Sequence, residues 1–169
     1  AWELSGPSEL AAPPPPVGAL LRTRSGPQVT DGSRWVEDAC AVARRVLARS
    51  TGPVLDVGCG PGRHAAELTR RGVFSLGIDI TPAAIEVARS RGATVIRRSV
   101  FDHLPGTGTW ATVLLLDGNI GIGGEPGRLL RRVHHLLARN GSAIVEVTGP
   151  GGCRAARYVS FEIDGSAGP

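Results

Sequence analysis

Lysine is absent from this chain of 169 residues, and all 19 of its basic residues are arginine. Aromatic side chains are scarce: three Trp, three Phe and one Tyr. Cysteine is limited to Cys40, Cys59 and Cys153, and no apolar run approaches the ~20 residues a membrane-spanning helix requires. Each shortage excludes something. The arginines are dispersed and few rings are available for base stacking, so the net charge of +4 does not form a nucleic-acid footprint. Three cysteines with no Cys-x-x-Cys pair make neither a disulfide framework nor a zinc site, and they fit a reducing compartment. No metal site is expected. The first residues carry no basic stretch followed by an apolar core, so the reading expects no signal peptide, no membrane partner and a cytoplasmic location.

Glycine and proline are plentiful instead, at 24 and 13. Residues 1–32, with "APPPPVG" and "RSGPQVTDG", lack periodicity and read as a Pro/Gly-rich N-terminal arm, residues 13–16 favouring polyproline II. Residues 33–169 read as one domain. A helix is expected over residues 33–50, capped by Ser33, with Val36, Ala39, Ala43, Val46 and Leu47 near one face. From residue 53 strands and helices alternate. "PVLDVG", "VFSLGIDI", "ATVIRRSV", "ATVLLLDGN" and "SAIVEVTG" read as strands. "RHAAELTRRG", "TPAAIEVARSRG" and "EPGRLLRRVHHLLARNG" read as helices, stopped by Gly72, Gly92 and Asn140-Gly141. This rhythm predicts an α/β fold with a doubly wound, mainly parallel sheet. Residues 149–153 read as a loop, and "ARYVSFEI" as one further strand.

The first strand runs into "LDVGCGPGR". Glycine lets the backbone approach a ligand, and the following helix offers free N–H groups at its positive end. A dinucleotide fingerprint needs G-x-G-x-x-G, but Arg63 stands where its third glycine belongs. The pattern present is D-x-G-x-G-x-G, Asp56 through Gly62, and a second acid, Asp79, ends the second strand.

These two signals, in that order and on those elements, resemble the class I S-adenosylmethionine-dependent methyltransferases, with a Rossmann-like fold. The likeness runs from about Arg34 to about Gly149, and the wording of "GPVLDVGCGPGR" and "LLLDGNIGIGG" is similar to small bacterial members of unassigned substrate. The resemblance implies S-adenosyl-L-methionine as cofactor and a small-molecule methyl acceptor as partner. It implies that Gly58, Cys59, Gly60 and Gly62 wrap the methionine part and that Asp56 braces its ammonium end. Asp79 would hold the ribose and Ile80 would lie against the adenine. Ser99 stands where the family usually has an acid facing the adenine amino group, with Val100 offering a backbone N–H, so that contact weakens or shifts to Asp102. Asp117, Gly118 and Asn119 would border the methyl group, and Asp117 is the candidate for a part in catalysis. The resemblance also implies two further strands after the fifth, of which only one is readable. The sheet is then expected to lack part of its C-terminal strands and to expose an edge suited to a homodimer.

Plainer readings stand beside these. Asp-Gly-Asn is a strong turn sequence. Cys59 reads as a small buried residue, Arg63 and His64 as helix-face residues, His103 as a loop residue. Of His134 and His135, one is expected at the surface and the other packed. An NAD-type oxidoreductase, or a non-catalytic cofactor-binding or interaction protein, remains as the alternative.

Overall fold

A computed structural model describes residues 37–147, together with the backbone of four short strands outside that span. Ser33, the proline run at residues 13–16, the expected loop at 149–153 and Cys153 lie outside the described residues. The strands are β1 (Ala19–Thr23), β2 (Gly26–Thr30), β3 (Val54–Val57), β4 (Ser75–Asp79), β5 (Val95–Arg97), β6 (Trp110–Leu115), β7 (Leu137–Val145), β8 (Ser160–Ile163) and β9 (Ser166–Ala167). The helices are α1 (Ala41–Leu47), α2 (Arg63–Arg70), α3 (Pro82–Ser90) and α4 (Pro126–Leu136), with a single 3-10 turn at Asn119–Gly121.

Five strands form one sheet in the order β5-β4-β3-β6-β7, and every pair within it is parallel. The strand reading therefore holds for all five. Their near-continuous apolar composition follows from burial on both faces: Val54 to Val57 are all buried, as are residues 112–115 of β6. Along β3, Leu55 and Val57 pack with Leu129, Val133 and Leu136 of α4, while Val54 packs with Leu47 of α1 and Leu68 of α2. Helices thus cover both faces. The chain order runs β3, β4, β5 in one direction and β6, β7 in the other, so the sheet reverses between β3 and β6. Ligand crevices in open parallel sheets form at the carboxyl ends flanking that reversal.

Three expectations about boundaries change. Helix α1 begins at Ala41, with Cys40 as its N-cap, and residues 37–40 are not helical. Ala39 is 1% exposed, which fixes the chain against the core before the helix starts. Helix α4 ends at Leu136 and β7 begins at Leu137, which pairs with Trp110; pairing then resumes at Thr112 with Ser142. The intervening residues bulge because Gly141 is pressed to the backbone of β6, where a Cβ would stand 2.7 Å from the Trp110 carbonyl oxygen. Finally, β8 pairs antiparallel with β1 in a separate sheet of order β2-β1-β8-β9, rather than extending the main one.

Candidate active site at the carboxyl edge of the sheet

Strand β3 ends in a loop whose three glycines all have positive φ: 69° at Gly58, 50° at Gly60 and 75° at Gly62. Each glycine has its own reason. A Cβ on Gly62 would stand 2.6 Å from the Ala88 Cβ, so this position lets α2 and α3 close on each other. At Gly58 the same atom would meet the Asn119 side chain at 2.7 Å. Nothing lies within 4 Å of a Cβ on Gly60; only there does the loop face open space. Gly58 and Cys59 donate their N–H groups to the Ile78 carbonyl at 2.8 and 3.0 Å, tying the loop to the end of β4. Cys59 is buried as expected, its Sγ 2.8 Å from where a Cβ on Gly77 would stand. Burial pushes its thiol pKa well up.

Asp79 finishes β4 with both carboxylate oxygens engaged. Oδ2 accepts the Gly60 N–H at 2.9 Å and Oδ1 accepts the Thr81 N–H at 2.8 Å. A carboxylate has about four acceptor sites, so the group can shape the loop and still take ligand hydroxyls. Ile80, next in sequence, is 43% exposed, a large apolar side chain just past the carboxyl end of β4.

Asp56 lies within β3, 1% exposed, and its Oδ2 has no hydrogen-bond partner among the described residues. Burial raises its pKa to about 7, and repulsion from Asp117 and Asp79 adds to this while Arg63 opposes it. Asp117 follows β6 with φ 56°, its N–H donated to Glu146 Oε2 and its Oδ1 ion-paired with Arg63. Asn119 reaches back from the 3-10 turn to the glycine loop, donating Nδ2 to the carbonyls of Val57 and Gly58.

Arg63 and His64, read from sequence as helix-face residues, belong to this cluster. His64 is 3% exposed and its Nε2 stands 4.0 Å from Asp117 Oδ2. Burial lowers its pKa to about 4, with Arg63 lowering it further and Asp117 opposing. His64 opens a run of five consecutive buried residues in α2, His64 to Leu68, so helical periodicity alone does not single it out.

Ser99 and Val100 sit apart from that cluster, past β5. Ser99 N–H donates to Asp102 Oδ2 at 3.1 Å, and its Oγ accepts the Phe101 N–H at 3.2 Å. Arg132 of α4 clamps this turn through the carbonyls of Val100 and Asp102. The Val100 side chain is 3% exposed and belongs to the core, so only its backbone can face a ligand. His103 is exposed, and so are both His134 and His135; the expectation that one of the pair is packed is corrected, since Val133 and Leu136 supply the buried face of α4. Cavities of about 350 Å³, beside Leu137, and about 300 Å³, beside Phe74, lie at the amino ends of strands, away from the glycine loop. Among the described residues no group of three or more His, Cys, Asp or Glu could hold a metal, and no helix is long and apolar enough to cross a membrane.

Comparison with known proteins agrees with this arrangement. The methyltransferase-domain family matches residues 54–141. Magnesium-protoporphyrin O-methyltransferase of Rhodobacter capsulatus is 34% identical over 103 residues, which is 57% of this chain and 45% of that protein. The chain thus spans less than half of the curated relative it matches. An S-adenosylmethionine-dependent methyltransferase of Bacteroides fragilis, solved with S-adenosyl-L-homocysteine, superposes with a TM-score of 0.66 at 28% identity, over 75% of this chain and 55% of that one. A TehB-like methyltransferase of Corynebacterium glutamicum gives 0.52 at 27% identity, over 60% and 59%. From the parallel sheet, the glycine loop at its reversal and the family match across more than half of its length, the chain belongs to the class I methyltransferase-domain family.

Proposed function

We propose that this chain binds S-adenosyl-L-methionine at the carboxyl edge of the sheet and directs methyl transfer to a small-molecule acceptor. The observation that carries this reading is the Asp79–Gly60 hydrogen bond, which holds the one open glycine of the loop's three beside a carboxylate with acceptor capacity to spare. The orphaned Oδ2 of buried Asp56 supports it, because a cationic ammonium group would relieve that carboxylate. When bound, S-adenosylmethionine supplies an electrophilic methyl on a sulfonium. The chain itself has mainly to bind, orient and exclude water. Gly58, Cys59, Gly60 and Gly62 bring backbone to the methionine side, Asp56 answers its ammonium, and Asp79 takes the ribose hydroxyls. Ile80, Ser99 and Val100 border the adenine. Asp117, Gly118 and Asn119 border the acceptor side. Asp117 is held by Arg63, so a base role would require it to leave that ion pair.

The finer parts of the reading are a cytoplasmic protein, no nucleic-acid partner, and a homodimer through an exposed sheet edge, which light scattering tests. Calorimetry with S-adenosylmethionine, S-adenosylhomocysteine and NAD tests the core of it. Binding of the first two without the third is expected; NAD binding alone would return the dinucleotide reading. Turnover of a panel of small acceptors separates an enzyme from a non-catalytic binder.

A further inference from the structure

Gly58 and Asn119 are 61 positions apart in sequence and occupy each other's space. Asn119 Nδ2 donates to the Val57 carbonyl at 2.7 Å and to the Gly58 carbonyl at 2.9 Å. A Cβ on Gly58 would stand 2.7 Å from that Nδ2 and 2.8 Å from Asn119 Cγ. The end of a long side chain often yields to such a clash. This one is pinned by two hydrogen bonds and cannot swing aside without breaking both. The φ of 69° already favours glycine at residue 58, and the pinned amide adds a steric demand to that backbone preference. A second tie joins the same two segments, the ion pair from Arg63 at the far end of the loop to Asp117.

We infer that Asn119 is a positioning residue that sets the shape of the glycine loop, and that residue 58 is glycine in order to admit its amide. For its functional consequence this rests on the methyl-donor reading. Asn119 then acts on the bound cofactor through the carbonyls of Val57 and Gly58 and so through the Asp79–Gly60 contact beyond them. The turn after β6, which borders the acceptor side, and the loop after β3 move as one piece.

The test measures S-adenosylhomocysteine affinity by calorimetry and melting temperature across a set of variants. Asn119→Ala should weaken binding about tenfold, the effect of losing two donors to carbonyls. Asn119→Asp keeps the shape without the donors and should be no better, because its carboxylate faces two carbonyl oxygens. Thr112→Val is the control for general loosening: near the amino end of β6 it removes both bonds of Thr112 Oγ1, to the Thr51 carbonyl (2.8 Å) and from the Thr51 N–H (3.0 Å), and should lower the melting temperature without changing affinity. Gly58→Ala should lower the melting temperature less in the Asn119→Ala background than in the parent, or fold only in that background. Parental affinity in Asn119→Ala overturns the inference, and so does an equal loss of affinity in Thr112→Val, or strict additivity of Gly58→Ala and Asn119→Ala. If the parent binds neither S-adenosylmethionine nor S-adenosylhomocysteine, the functional reading falls, and the melting-temperature coupling alone decides the Gly58–Asn119 pairing.

Discussion

Replacing Asp56 with asparagine should change how stability depends on pH far more than it changes stability at any one pH. Asp56 is buried, and desolvation, reinforced by Asp117 and Asp79 and opposed by Arg63, moves its pKa from 3.8 to about 7. Between those values the native state holds a proton that the unfolded chain has released. Stability from this group is therefore complete below about pH 4 and is lost as the pH rises through about 7. At ~1.36 kcal/mol per unit the swing is roughly 4 kcal/mol. His64 runs the other way. Its burial lowers the pKa from 6.5 to about 4, so its stability is present above 6.5 and lost as the pH falls, a swing of roughly 3 kcal/mol.

Over the shared window the two slopes nearly cancel, and the parent owes little pH dependence to the pair. Asp56→Asn removes one slope and uncovers the other. Urea unfolding at about pH 4, 5, 6.5 and 8 should show the variant gaining roughly 4 kcal/mol on the parent from the acid end to the alkaline end, whatever constant offset the buried amide introduces. An offset that is the same at every pH would refute the raised carboxyl. The same proton should appear on binding. A cationic ammonium beside Asp56 lowers its pKa, so S-adenosylhomocysteine binding near pH 6 should release a proton, visible as a buffer-dependent heat that Asp56→Asn abolishes.

Three further outcomes are expected. Asp79→Ala loses both the Gly60 and the Thr81 contacts, so affinity alone cannot isolate the ribose; a ligand lacking the ribose hydroxyls should cost the parent about 2–3 kcal/mol and the variant almost nothing, and equal costs would remove Asp79 from the ribose. Gly62→Ala combines φ 75° with a Cβ 2.6 Å from Ala88, and denaturant unfolding should show a loss of about 2–4 kcal/mol; a change within ~0.5 kcal/mol would mean that α2 and α3 have room to part. Between the two described cysteines, iodoacetamide should modify Cys40 well before Cys59. Cys40 is exposed, its Sγ accepts the Ala43 N–H and its pKa is lowered, whereas Cys59 is buried with its pKa raised, and peptide mass spectrometry reads the order.

Strands buried on both faces announced themselves through apolar runs such as "TVLLL", and the loop through the spacing of its glycines and of Asp79. Boundaries were less legible, because the deciding contacts lie outside the local pattern. Leu137 extends the apolar face of α4 in sequence, yet it pairs with Trp110, and Gly141 is needed for the approach of that residue's backbone. At α1, the burial of Ala39 overrides a periodicity that begins earlier. Within the site, the glycines looked alike in sequence and differ in structure: only the pairing with Asn119 and with Ala88 shows that two of the three serve the protein's own packing. His64 shows the limit of a helical pattern: its position places it on α2, but sequence spacing does not show that it is buried there beside Asp117.

The distribution of cost across the fold is itself evidence for where ligand chemistry belongs. At the amino end of β6 the buried Thr112 hydroxyl is fully used, accepting the Thr51 N–H at 3.0 Å and donating to the Thr51 carbonyl at 2.8 Å. Buried Glu67, on α2, is likewise answered by Arg70 and Arg71 at 2.7 Å each. Among the described residues Ser50 Oγ and Arg91 Nη1 are buried without a partner elsewhere, but at the carboxyl edge several such costs fall together. Asp56 keeps an unpartnered oxygen, Asp117 holds a left-handed backbone, His64 is stripped of solvent, and like charges press on Asp56. A protein only needs to satisfy such groups with its own atoms if nothing else does so. On the proposed reading, a cationic ligand would answer the unpartnered Asp56 oxygen and its hydroxyls would use the spare acceptor capacity of Asp79. Its binding should therefore stabilise the fold most at alkaline pH, where the unrelieved Asp56 carboxylate costs most.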